Sequence, residues 1–133
     1  MILYEEYQDS DYDILKSWWE KRGWAALPKE FLPKTGFVVK NGSPIIAGFL
    51  YREKSSPIGM IVWIISDPVS NKNDRANASE ILIKRLIESA SNDGVKYIFT
   101  LATENLTHRF EKMGFVKTDQ NVTNMLYIIG GEE

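Results

Sequence analysis

The sequence predicts a single mixed α/β (α+β) domain over residues 1–133, with one central sheet of six to seven strands flanked by three to four helices. Three observations carry that expectation. Strand-like and helix-like segments alternate irregularly, and three strand-like runs follow one another in the middle of the chain. Two of those runs are joined by Asn41-Gly42, a pair suited to a tight hairpin turn. A chain of 133 residues with 44% hydrophobic content buries roughly two thirds of the surface its unfolded form exposes, enough for one core and no more.

Residues 2 to 7 have strand character, and Gln8-Asp-Ser-Asp supplies helix-capping chemistry. From Asp11 to Arg22 the apolar residues Tyr12, Leu15, Trp18 and Trp19 recur at three- and four-residue steps, which predicts a helix stopped at Gly23. Pro28 and Pro33 make 24 to 35 a loop or a broken short helix. Strands are expected at Gly36 to Lys40, Pro44 to Arg52 and Ile58 to Ser66, the last nearly continuously apolar and ended by Asp67-Pro68. Val69 to Asp74 reads as polar loop. Ala78, Leu82, Ile83, Leu86, Ile87 and Ala90 then lay down a wide helical stripe that ends at Asn92-Asp-Gly94. A buried strand is expected over Lys96 to Ala102, a short helix through Leu106, Phe110 and Met113 to Gly114, and strands at Phe115 to Lys117 and Met125 to Ile129.

Composition removes several classes of function. With no Cys there is no disulfide framework, thiolate metal site, redox pair or cysteine nucleophile, and one His, at position 108, excludes a His-rich metal cluster. No metal is expected. Sixteen basic against eighteen acidic residues, a net charge of −2, argue against nucleic acid as a partner. An acid pair near the N-terminus and the lack of a long apolar run predict a cytoplasmic protein with no membrane partner.

Phe110-Glu-Lys-Met-Gly-Phe115, with Asn105 before it, resembles the Asn, short helix, Tyr-Glu-Lys-x-Gly-Phe pattern of the GCN5-related N-acetyltransferase (GNAT) superfamily. Ser79 to Phe99 is similar to that family's long helix, Gly turn and fifth strand, and Gly36 to Tyr51 to its second and third strands. The likeness runs through nearly the whole chain in order. It implies a GNAT-like sheet and an N-acetyltransferase that passes an acetyl group from acetyl-CoA to a primary amine of a small molecule or protein. The alternative it leaves is a non-catalytic GNAT-fold module that binds acyl-CoA or a protein partner. The oligomeric state stays open, a dimer included.

In the family, backbone amides at a helix start hold the cofactor diphosphate, as the free N–H donors and partial positive charge of a helix N-terminus allow. The aligned positions here are Asp74, Arg75, Ala76, Asn77, Ala78 and Ser79. Asn77 stands where Gly is expected, Ser79 where Gly or Ala is expected and Asp74 where a basic or amide residue belongs, and the preceding loop is about three residues longer than usual. Asn tolerates a left-handed backbone, Ser is small and Arg75 offers a phosphate partner. The plain alternative is that Asn77 and Glu80 form a helix-capping box that binds nothing.

By resemblance, the backbone at Ile64 and Ile65 positions the pantetheine arm and Asn105 contacts the cofactor. Trp18, Trp19 and Trp24 fall in the region that walls the acceptor site, although core packing explains at least two of them. The family's acidic Tyr is replaced by Phe110. A thiol with a pKa of roughly 8.5 can leave without an acid, so the loss is tolerable. The candidate bases are Asp67, Glu104 and His108, each of which also has an ordinary reading as a turn, cap or solvated residue.

Overall fold

The computed structural model describes residues 2–130, with the side chain of Glu104 outside that description. The chain runs β1 (Ile2–Glu6), α1 (Tyr12–Lys21), β2 (Thr35–Asn41), β3 (Ser43–Arg52), β4 (Ile58–Ser66), α2 (Lys72–Asn92), β5 (Tyr97–Thr100) and α3 (Glu104–Lys112), with short 3-10 turns at Asp9–Asp11 and Lys29–Phe31. The five strands form one sheet in the order β1-β2-β3-β4-β5. The first four are antiparallel to their neighbours, and β5 alone is parallel, paired with β4. A parallel pair needs a long crossover connection, which α2 supplies.

Alternation along the strands sorts side chains to two faces. Phe37, Val39, Ile46 and Leu50 meet Ala78, Leu82, Ile83, Leu86 and Ala90 of α2. On the other face Val38, Ala47 and Phe49 meet Leu15, Trp18 and Trp19 of α1. The α2 stripe at 78, 82, 86 and 90 repeats every four residues, which keeps one side of the helix on the sheet. Both helices are stopped by glycines whose positive φ few other residues adopt, Gly23 at +77° and Gly94 at +86°.

The sequence expectations hold for the first four strands and for the three helices, with three corrections. The strand expected to be buried over Lys96 to Ala102 is shorter, Tyr97–Thr100, and half-exposed, with Tyr97 66% and Phe99 43% exposed, because it forms the sheet edge among the described residues. The long helix begins at Lys72, so the expected loop over Val69 to Asp74 is shorter than predicted. Asn71 caps the helix, its Oδ1 accepting from the backbone N–H groups of Asn73 (2.8 Å) and Asp74 (3.2 Å). The strands expected at Phe115 to Lys117 and Met125 to Ile129 make no ladder, and the sheet has five strands rather than six or seven. Those residues have strand composition, but pairing requires a partner edge, which composition does not reveal. None of the described helices is long and apolar enough to cross a membrane.

Candidate active site

The site begins where the pairing of two parallel strands ends. Ladder pairing between β4 and β5 covers Ile58 to Ile61 against Tyr97 to Thr100. At its end the Thr100 hydroxyl donates to the Ile61 carbonyl at 2.9 Å. Beyond that bond β5 ends, and Val62 to Ser66 continue as strand on β3 with the other edge of β4 unpaired among the described residues.

A bulge in β4 lies just beyond this end of the pairing. Phe49 pairs with Val62 and Ala47 with Ile65, so the two residues Trp63 and Ile64 stand opposite the single Gly48. Trp63 takes φ +57°, a left-handed conformation rare for a large side chain. The extra residue reverses the alternation: Ile61 belongs to the α2-side core, yet Ile65, four residues on, belongs to the α1-side core. Gly48 is required there, because a Cβ on it would lie 2.9 Å from Leu82 Cδ2 and 3.1 Å from Ile64 Cγ1. The Trp63 ring tilts over Phe31 at 6.4 Å between centroids.

The mouth of the site, at the end of β4, is cationic. Arg22, just past α1, donates through Nη2 to both the carbonyl and the hydroxyl of Ser66, each at 2.8 Å, and its guanidinium lies 5.5 Å from the Trp24 ring centroid. Arg75 Nη1 donates to the Ser70 carbonyl at 2.6 Å and so holds the loop after β4 against α2. Burial and then the neighbouring Arg75 lower the pKa of Arg22, with Asp67 opposing them. Two guanidinium groups that repel each other favour an anion between them. Asp67 ends β4, its N–H donating to the Ile45 carbonyl at 2.8 Å and its Oδ1 accepting from Val69 N–H at 3.0 Å.

The other predicted positions are scattered. Ile64 is half-buried and Ile65 buried along β4. Asp74 to Ser79 all lie inside α2, where Ala76 is half-buried, Asn77 exposed, and Ala78 and Ser79 buried, with Ser79 Oγ donating to the Ala76 carbonyl at 2.8 Å. Asn77 is therefore not at a helix start. Asn105 is exposed on the first turn of α3, which Glu104 opens. His108 lines a different cavity, on the outer side of β5, that contains no β4 residue. Trp18, 1% exposed, and Trp19 are core residues that reach no solute, because their helical spacing turns them onto the sheet; Trp24, 56% exposed, stands beside Arg22 at the mouth. Phe110 is buried against Phe115.

Sequence reasoning missed Trp63, Arg22, Thr100 and Asn71. Only Asn71 had a legible signal, an Asn followed by an acid three residues later at a helix start. The bulge leaves no mark in a run as uniformly apolar as Ile61 to Ile65.

An open mixed sheet whose one parallel pair ends short of a bulge in β4, with helices on both faces, defines the class. The chain has the fold of the GCN5-related N-acetyltransferases. An acetyltransferase from Trypanosoma brucei superposes with a TM-score of 0.69 at 15% identity, covering 95% of this chain and 100% of that one. A predicted acetyltransferase from Clostridium acetobutylicum, solved with acetyl-CoA, gives 0.65 at 17% identity over the full length of both. The N-acetylglutamate synthase of Neisseria gonorrhoeae, solved with coenzyme A and L-arginine, gives 0.71 at 16% identity over 93% of this chain, which spans 29% of that protein. No protein-family model and no curated protein sequence matches the chain.

Proposed function

We propose that this chain is an N-acetyltransferase, moving an acetyl group from acetyl-CoA to a primary amine of a small molecule or protein by direct attack. One observation carries the reading: β4 and β5 pair only as far as Ile61 and Thr100, leaving an open strand edge at the bulge among the described residues. An extended arm that contains amides can pair with such an edge as a strand would. The backbone around Ile64 and Ile65 then orients the arm and donates to the thioester oxygen, where negative charge develops. Arg22 and Arg75 attract the diphosphate at the mouth, and Asn105 contacts the cofactor from the first turn of α3. The buried positions Ala78 and Ser79 support this end by packing, with Ala76 and Asn77 on the same two turns.

In the reaction the amine nitrogen attacks the thioester carbon. A C–N bond forms, the C–S bond breaks, the sulfur leaves as thiolate and the nitrogen gives up one proton. Asp67, just past the end of β4, accepts that proton directly or through water; His108 lies on α3 beside the cavity next to β5, and Phe110 has none to exchange. An acceptor that arrives as an ammonium gives one further proton to solvent before attack; Trp24 offers an aromatic wall to that cationic form.

A second reading has its own support. Asn71 already occupies the first N–H donors of α2, and Phe110 replaces an acid; both favour a protein that binds acyl-CoA or a partner without turnover. Thermal unfolding with acetyl-CoA, followed by thiol release across a panel of primary amines, separates the two. The catalytic reading expects stabilisation of about 2.7 kcal/mol at a hundredfold excess over Kd and amine-dependent thiol release. Binding with no release selects the second reading. No stabilisation at millimolar acetyl-CoA defeats the catalytic reading and leaves only partner binding of the second.

A further inference from the structure

A second cavity, of about 760 Å³, lies where the last turn of α2 meets the end of β3. Leu50 belongs to the α2-side core, and Arg52, two residues on, falls on the same face by strand alternation. Because α2 ends at Asn92, Arg52 meets the end of the helix and not its apolar stripe. Arg52 pairs with Gly59 near the start of β4, whereas the candidate active site lies at the far end of that strand, at Ser66. Along α2 the cavity reaches Ser89, and Arg75 stands a further 14 residues towards the N-terminus, about 21 Å at 1.5 Å per residue. None of Arg22, Ser66, Asp67 and Arg75 lines it.

Three cations, Lys34, Arg52 and Lys54, line this cavity against one carboxylate, that of Asp93. The Arg52 side chain is only 16% exposed. Its Nε sits 3.2 Å from Asp93 Oδ2 as an ion pair, yet neither Nε nor Nη1, both buried, makes a hydrogen bond. Lys34 and Lys54 are exposed and form no ion pair among the described residues. A buried donor left unmade is costly, and the planar fork of a guanidinium matches the paired oxygens of a carboxylate or a phosphate. Asp93 offsets one of the three charges, so positive charge remains in excess. Ser89 and Asn92, on the helix side, add a hydroxyl and an amide.

We propose that this cavity is a binding site for a small organic acid, a carboxylate or phosphate carried on a hydroxyl-bearing body. The acid group accepts from Arg52 Nη1, Lys34 and Lys54 add attraction from the rim, and the hydroxyls of the body meet Ser89 and Asn92. The volume lies within the roughly 300–1,000 Å³ of small-molecule sites. The site shares no residue with the proposed acetyl transfer, so either can fail without the other.

Backbone amide NMR reads both ends of the molecule at once. Citrate, 3-phosphoglycerate and inorganic phosphate are titrated into the nitrogen-15-labelled chain without acetyl-CoA, with glycerol as the neutral control. At least one of the two organic acids should give saturable shifts at Thr35, Arg52, Asn92 and Asp93, with a Kd of about 1 mM or below, and the tighter of the two distinguishes carboxylate from phosphate. Arg52→Gln should weaken these shifts at least about tenfold. The double variant Lys34→Gln, Lys54→Gln, at two exposed positions, should weaken them about fivefold with the fold intact, and it decides the matter if Arg52→Gln does not fold. Organic acids that bind no tighter than inorganic phosphate mean an adventitious ion only and overturn the proposal. Shifts confined to Ser66 and Arg75, an equal response to glycerol, or an affinity that the substitutions leave unchanged overturn it as well.

Discussion

Tyr7 follows β1 and turns its ring edge-on to Phe49, with centroids 4.9 Å apart. Its hydroxyl is buried without a hydrogen-bond partner. Burial, then the nearby carboxylates of Asp9 and Asp11, then Tyr12, push its pKa from the ordinary 10.0 up to about 12. The folded protein therefore keeps this proton through a pH range in which the unfolded chain has lost it. Stability contributed here is complete below about pH 10 and is lost as pH rises through about 12. Tyr7→Phe removes both the titration and an unsatisfied hydroxyl. Its stability at neutral pH should match or exceed wild type by up to about 1 kcal/mol, and the difference should grow above pH 10. Urea melts of both proteins across the alkaline range measure that divergence; a constant gap would mean that Tyr7 does not titrate in this window. Nothing at sequence level marked Tyr7, because the strand that precedes it and the two acids that follow it read as ordinary surface. Trp18 and Trp19 were candidates for the acceptor wall, although core packing already explained at least two of the Trp, and the placement of α1 over β4 puts both in the core.

At the scale of elements, β4 separates what periodicity can reveal from what it cannot. The strand's existence and bounds were legible from five successive apolar residues flanked by Gly59 and Asp67-Pro68. The bulge was not, since alternation is invisible when every position is apolar, and the reversal between Ile61 and Ile65 is its only trace. The cost of that bulge falls on Trp63. A left-handed conformation costs a large residue of order 1–3 kcal/mol and costs Gly almost nothing. Substitution at 63 should therefore invert ordinary strand preference: Trp63→Gly more stable than Trp63→Ala, and Trp63→Val worst, with about 1–3 kcal/mol between the extremes. Denaturant midpoints of the three variants test the order. If Val proves the most stable, the strand is regular at 63 and the open edge has another cause. The loop before α2 teaches a related lesson. The candidate phosphate positions were placed by likeness to a family pattern at a helix start, but the helix begins at Lys72 on an Asn71 cap. An aligned position can keep its place in an alignment while its amide passes from loop to helix interior.

Across the whole molecule, order is distributed unevenly, and the uneven part is where the sequence was least readable. β2 and β3 lie inside the sheet with a helix and a core on each face, and their side chains pair with periodicity that the sequence displayed openly. The C-terminal third was read correctly as helix and strand up to Gly114, then failed at Phe115 to Ile129, because those residues specify an affinity for a strand edge and not which edge. β5 stands between these regimes, held by four pairs to β4 on one side and, among the described residues, by none on the other. Amide exchange should follow this gradient. In dilute protein the amides of Val38, Val39, Ala47 and Phe49 should exchange only through global unfolding, whereas those of Ile98 and Thr100 open locally and exchange at least about 100-fold faster. A β5 as protected as β2 in dilute protein would mean that its edge is already closed within one chain.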